Sequence, residues 1–199
     1  KNLGGSATPG DDRAVDDDAA RADARAAIAT LPPGPLAFYG HSLGALIALD
    51  LARAAPERTV QLFCAARPWP GAPASDRSFL LDSEPANFEK RMEKAYGAAP
   101  PSFANPEIRD YALPILMADL QLMNSYAHGA PAALACPLTV FAGADDPVTQ
   151  RSDLTLWGRE TTGPTDVVTL EAGHYFLESH RDRLGSAISE RLDAASPPL

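Results

Sequence analysis

In the stretch FYGHSLGAL, residues 38–46, Ser42 stands two positions from a glycine on either side, directly after one apolar run and directly before another. Two chemistries fit: a nucleophile held on a tight turn, or a small polar residue in a glycine-rich structural loop. The flanks favour the nucleophile. The run 35–39 leads into Gly40 and the apolar run 43–55 follows Ser42 at once, which is the strand, turn and helix context of a nucleophile elbow. On such a turn, glycines at 40 and 44 leave room for the neighbouring backbone. The helix N-terminus then aims its partial positive charge at the serine and at any oxyanion formed there.

A serine nucleophile needs a base and an acid, and an architecture of this kind supplies them in the order serine, acid, histidine, each after a later strand. The chain has four histidines. His41 adjoins the serine, His128 precedes every candidate acid, and His180 falls within a helical pattern. His174 remains, after the run 165–170 and the turn Glu171, Ala172, Gly173. Its plainer role would be that of a loop or helix-cap histidine. The acid should follow the strand before, where FAGADDPVT offers Asp145 and Asp146 beyond the run 137–142. Asp146, next to Pro147 and Val148, is preferred, with Asp145 as the second choice; either could instead cap a helix near Pro147.

These residues need elements to hold them. The apolar runs 35–39, 59–64, 137–142 and 165–170 read as strands. Helical patterns lie between most of them. Residues 16–28 are alanine-rich with acids early, residues 43–55 are apolar almost all round, and Leu177, Leu184, Ile188 and Leu192 mark one stripe of a last surface helix. Alternation of strand and helix implies an α/β class with a mainly parallel sheet and helices on both faces. Residues 66–134 break the alternation: they are proline-rich, with helical patterns at 85–96 and 106–126 and no convincing strand. This insertion would sit as a helical cap over the carboxyl ends of the strands, where open α/β sheets bind ligands.

Composition bounds the partners. With 199 residues, 45% hydrophobic and 22% charged, the chain suffices for one domain with a real core. Its 26 acidic and 17 basic side chains give a net charge of −9, which repels nucleic acid and anionic membrane surfaces. Two cysteines, Cys64 and Cys136, each at or beside an apolar run, read as buried free thiols in a reducing, cytoplasmic compartment rather than as a disulfide or metal framework. The charge-free stretches are too short to span a bilayer, and the first residues lack the apolar core of a signal peptide.

Four stretches, PLAFYGHSLGALIALDLAR, YALPILMADLQLMNSY, PLTVFAGADDPVTQRSDLTLW and LEAGHYFLESH, together resemble the type II thioesterases of polyketide and nonribosomal peptide assembly lines. The resemblance runs from Pro9 to the last helix. It implies an α/β-hydrolase fold whose lid is the insertion 66–134. It also implies hydrolysis of stalled or wrongly loaded acyl groups from the phosphopantetheine thiol of acyl or peptidyl carrier proteins, by Ser42, Asp146 and His174, with no metal or cofactor. The Leu43 amide would be one oxyanion donor, with Gly4 or Gly5 as the second. Phe79, Phe88, Met92, Tyr96, Leu116 and Met123 are candidates to line an acyl pocket, or equally to form the core of the lid. Lys90, Arg91 and Lys94 form a local basic group that either meets an acidic carrier domain or is a solvated helix face.

The N-terminus departs from that family. NLGGSA resembles the end of its first loop and TPGDDR a later one, and here they abut, so one to two βαβ units, at about 30 residues each, are expected to be missing. If Gly4 and Gly5 are only a linker, Leu43 is the sole assignable oxyanion donor. Two alternatives therefore stand beside the carrier-protein thioesterase: a small-ester esterase of the same fold, and a shortened, catalytically silent hydrolase that only binds carrier proteins.

Overall fold

A computed structural model of the chain describes residues 22, 25–72, 85–129 and 133–195. All four expected strands form, with ends shifted by a residue or two at most: β1 (Leu36–His41), β2 (Thr59–Ala65), β3 (Leu138–Gly143) and β4 (Thr165–Leu170). They lie side by side in chain order as a four-stranded sheet in which every pair is parallel. In β2 and β3 nearly every residue is buried, as strands covered on both faces must be.

Successive side chains feed two layers. Leu62, Cys64, Leu138 and Val140 face one core, with Ala45, Ala48, Leu49 and Ala52 of helix α1 (Leu43–Ala54). Phe63, Ala65 and Phe141 face the other, with Leu170, Phe176 and Leu184. One polar pair sits in this sheet: Gln61 Nε2 donates to Thr139 Oγ1 at 3.2 Å, so neither buried group is left unsatisfied. Cys64 and Cys136 are both free and buried, and burial pushes both thiols up in pKa.

The insertion between β2 and β3 contains α2 (Pro85–Tyr96), a 3-10 turn (Pro101–Ala104) and α3 (Pro106–Ser125). Pro106 opens α3 where its missing amide costs nothing, and Asn105 caps it by accepting from the Glu107 amide at 3.0 Å and the Ile108 amide at 3.5 Å. Phe88, Met92, Tyr96, Phe103, Leu120 and Met123 bury one another and close on Leu46 of α1 and on Val148 after β3. Helix α1 is therefore covered on two sides, by the sheet and by the insertion, in keeping with its nearly uniform apolarity. No helix of the described residues is long and apolar enough to cross a membrane.

Two expectations need correction. The last helix is divided into α4 (Phe176–Ser179) and α5 (Arg181–Ala195), with His180 as the junction in a non-helical conformation. Phe176, fully buried, sets the rotation of α4 and turns Leu177 outward to 40% exposure. The buried stripe is thus Leu184, Ile188 and Leu192, without Leu177. Of the helix expected over 16–28, residues 22 and 25–28 are helical, and the rest lies outside the described residues.

The second correction concerns the turn from β1 into α1. A Cβ on Gly40 would stand 1.9 Å from the Gly44 carbonyl oxygen, so no other residue fits. A Cβ on Gly44 would meet nothing within 4 Å, because that position faces open space rather than neighbouring backbone. Only the first glycine is sterically required. Gly40→Ala should lower the stability in chemical denaturation by about 3 kcal/mol or more, or prevent folding. Gly44→Ala, inside a helix, should leave stability unchanged or raise it by up to about 1 kcal/mol. Equal losses in the two variants would contradict this account of the turn.

Candidate active site

Ser42 is the turn residue between β1 and α1, with φ 54 and ψ −113. That is a sparsely populated conformation for a residue with a side chain, at a cost of about 1–3 kcal/mol. The surroundings enforce it: the Ser42 amide donates to the Ala65 carbonyl at the end of β2 at 2.8 Å, and its own carbonyl accepts from Ala45 at 3.1 Å inside α1. Leu43 begins the helix, so its amide belongs to the first turn, whose N–H groups have no intrahelical acceptor.

The acid and the base come from the ends of the next two strands. After β3 the chain turns at Ala144 and Asp145, whose amides donate to the carbonyls of Leu170 at 2.8 Å and Ala172 at 3.0 Å. The loop after β4 is thereby tied to the loop after β3. This approach demands glycine at 143, where a Cβ would lie 2.3 Å from the Ala172 carbonyl oxygen and 2.6 Å from that of Gly173. Asp146 is fully buried. Its Oδ1 accepts from the Val148 amide at 2.9 Å, and its Oδ2 accepts from His174 Nδ1 at 3.0 Å. No helix forms near Pro147, so Asp146 does not cap one: its Oδ1 closes a turn onto the Val148 amide while its Oδ2 holds the histidine. Asp145 is exposed, and it is Asp146 that bonds His174.

His174 is 3% exposed. With Nδ1–H committed to the carboxylate, the other ring nitrogen carries the lone pair and can accept a proton. The imidazole is enclosed by Tyr96 of α2, with ring centroids 4.6 Å apart, by Tyr175 at 5.2 Å, and by His41 at 5.4 Å. His41 immediately precedes Ser42, so the serine turn and the imidazole share one end of the sheet. A serine on a strained turn at a helix N-terminus and a buried carboxylate and imidazole pair thus stand at one end of the sheet, the residue types that nucleophilic acyl transfer employs.

Phe88, Met92, Tyr96 and Met123 are buried in the cluster that seats the insertion on α1, and Leu116 packs partly buried against it. Among the described candidates, Tyr96 packs its ring against His174. Lys90 and Lys94 are exposed on α2, and Arg91 is partly buried. Gly4, Gly5 and Phe79 lie outside the described residues. Sequence reasoning overlooked Gly143 and set His41 aside as adjoining the serine. Gly143 had a visible signal, as a glycine ending an apolar strand just before the candidate acid. His41 had none beyond its place next to the serine.

His41 is partly buried, and its ring meets Phe176 edge-on at 4.9 Å. Burial, reinforced by the neighbouring His174, lowers its pKa from 6.5 to about 4. Burial likewise raises the Tyr39 hydroxyl to about 12 and pushes the Tyr175 hydroxyl higher still.

A thioesterase domain family model matches residues 17–192 of the chain. A Streptomyces griseus protein named as a probable cadicidin biosynthesis thioesterase is 33% identical over 170 residues, covering 82% of this chain and 46% of its own length. Thioesterase PikA5 of Streptomyces venezuelae is 29% identical over 163 residues, covering 80% of this chain and 57% of its own. The chain thus spans about half the length of these curated relatives. Among solved structures, the type II thioesterase BorB from the borrelidin biosynthetic cluster superimposes with a TM-score of 0.79 at 27% identity, over 88% of this chain and 73% of that one. ClbQ from the colibactin NRPS/PKS pathway does so at 0.79 and 25%, over 90% and 77%.

The His41 pKa gives a pH dependence whose sign follows from proton uptake. Between pH 6.5 and about 4 the unfolded chain protonates His41 while the folded chain does not. Acidification through that window therefore weakens folding, and the contribution is constant above it. His41→Phe keeps the ring packing and should flatten the fall in urea midpoint between about pH 7 and about pH 5. An unchanged pH slope in that variant would show that His41 does not carry the effect.

Proposed function

The chain belongs to the thioesterase domain family, and we propose from this that it hydrolyses acyl thioesters carried on the phosphopantetheine arm of carrier proteins, as an editing type II thioesterase of a polyketide or nonribosomal peptide pathway. Its fold is that of the α/β hydrolases, with a mainly parallel sheet and helices on both faces. The observation that carries the proposed reaction is the buried hydrogen bond between Asp146 Oδ2 and His174 Nδ1 at 3.0 Å. The relatives named for cadicidin biosynthesis, the borrelidin cluster and the colibactin NRPS/PKS pathway support the choice of pathway class.

In this reading the free nitrogen of His174 takes the Ser42 hydroxyl proton as the oxygen attacks the thioester carbonyl. Asp146 holds the imidazole in the required tautomer and stabilises the imidazolium. The Leu43 amide and the N-terminal end of α1 stabilise the oxyanion, an effect worth roughly 10²–10³ in rate per donor. Collapse of the tetrahedral intermediate expels the thiol, which leaves with the proton from His174. Water, deprotonated by the same nitrogen, then attacks the acyl-serine, and the acid leaves as Ser42 recovers its proton. Gly4 or Gly5 is the proposed second oxyanion donor, and Phe79 a proposed pocket residue. The helices between β2 and β3 act as the lid, their inner residues shaping the acyl site. The partner is an acyl or peptidyl carrier protein, and the compartment that of the assembly line, the cytoplasm.

A fluorophosphonate probe, followed by intact-protein mass measurement, should label Ser42 in one-to-one stoichiometry, and acyl-carrier substrates should be deacylated. Ser42→Ala should abolish labelling and reduce turnover by about 10⁴-fold or more, and Asp146→Asn should reduce it about 10⁴-fold, both with wild-type denaturation midpoints. Labelling with activity only on soluble esters would favour a small-ester esterase. A folded protein that takes no label would instead be a silent carrier-binding member.

A further inference from the structure

Apart from Asp146, one carboxylate among the described residues is fully buried: Glu160, the last residue of the 3-10 turn Leu154–Glu160. The reaction proposed above does not use it. Its Oε2 accepts from Arg53 Nη2 at 2.5 Å, in the last turn of α1. Its Oε1 accepts from Trp69 Nε1 at 2.6 Å, and His128 Nε2 lies 3.2 Å from that same oxygen as a close contact without hydrogen-bond geometry. The indole of Trp69 and the ring of His128 also meet edge to face, with centroids 5.6 Å apart.

The positions of these partners matter. Trp69 lies just after β2, where the chain leaves for the helical insertion, and His128 lies just after α3, where it returns. Both straps are pinned a second time close by. The indole of Trp157 donates to the Arg67 carbonyl at 2.9 Å, and the Tyr126 hydroxyl donates to Asp50 Oδ1 at 3.2 Å, with Asp50 3.9 Å from Arg53. The insertion's other recorded seat on the body is the apolar cluster with Leu46 and Val148. Apolar contact is non-directional, whereas the Trp69 hydrogen bond to a buried carboxylate holds one geometry and leaves a costly unpaired group if it is lost, and the His128 ring packs on both partners of that bond.

We propose that Glu160 is a positioning residue: it clasps both ends of the helical insertion to the last turn of α1, the helix whose first turn carries Ser42, and so fixes where the insertion stands over Ser42 and His174. A buried ion pair of this kind contributes specificity of arrangement more than net stability. Arg53 neutralises the carboxylate from the body. Trp69 and His128 make its position common to the two straps, so neither strap can be displaced without disturbing the other.

Hydrogen exchange on the full chain tests the clasp without reference to the reaction. In Glu160→Gln and in Trp69→Phe, amides of 67–72 and 126–129 should exchange together about tenfold faster than in the wild type, with β3 and β4 unchanged. The decisive result is in Trp69→Phe, which removes one N–H from the leading strap: loosening of the trailing strap 126–129 is expected only if the two are joined. If only the leading strap loosens, or if neither does, the clasp is wrong. Should Glu160→Gln fail to fold, Trp69→Phe answers alone.

A second arm rests on the reading of Ser42 as the nucleophile. In Trp69→Phe, kcat for a short activated ester should stay within about twofold while KM for a long-chain acyl thioester changes about tenfold. Equal changes for the two substrates would overturn the positioning role. Absence of any Ser42 labelling in the wild type would overturn the catalytic reading and leave the exchange result standing.

Discussion

Gly40 lets the chain turn from β1 into α1 with the Gly44 carbonyl lying where a side chain would otherwise stand. The tightness of that turn has consequences in both directions along the chain. It drives Ser42 to a positive φ, and it sets α1 down close against the sheet, where Ala45, Ala48 and Ala52 pack with Leu49 on the strands. A second close approach, at Gly143, brings the loop after β4 onto the end of β3. Register does the rest: β1 pairs with β2, β2 with β3 and β3 with β4, all parallel. Three loops that are distant in sequence therefore open on one end of the sheet. The site is a property of backbone packing before it is a property of side chains.

The parts of this that were legible in the sequence are those in which local pattern and tertiary role agree. Strands β2 and β3 are apolar runs because both of their faces are covered, and α2 and α3 begin at prolines that suit a first helical turn. Asp146 could be preferred over Asp145 because of its local setting, and the fold buries the one and exposes the other. What was not legible depends on distance. Gly44 looks equivalent to Gly40 in a motif, yet only coordinates reveal which one has backbone against it. The break at His180 is invisible to periodicity, since Leu177, Leu184, Ile188 and Leu192 keep helical spacing across it, and the buried seat of Phe176 decides the phase. Glu160 carries no signal at all: it lies in a polar stretch, and its partners are drawn from three other segments.

The insertion is held in two different ways. Near Ser42 and His174 it rests on apolar contacts through Leu46, Val148 and Tyr175, which tolerate sliding. At its leading root it is held by the Trp69 hydrogen bond, of fixed direction, to a carboxylate excluded from water. A body that is firm at the hinge and slippery at the far end is a physical basis for motion at the site without loss of attachment.

Tyr96 gives that motion an electrostatic meaning. Its ring, on α2, is packed 4.6 Å from the imidazole that bonds the buried Asp146. With the aromatic wall in place the pair sits in a medium of low dielectric, where its mutual attraction is strongest. If α2 withdraws, water takes the place of the ring, and the same two groups attract each other far less. The helix that covers the site thus acts as part of its solvent.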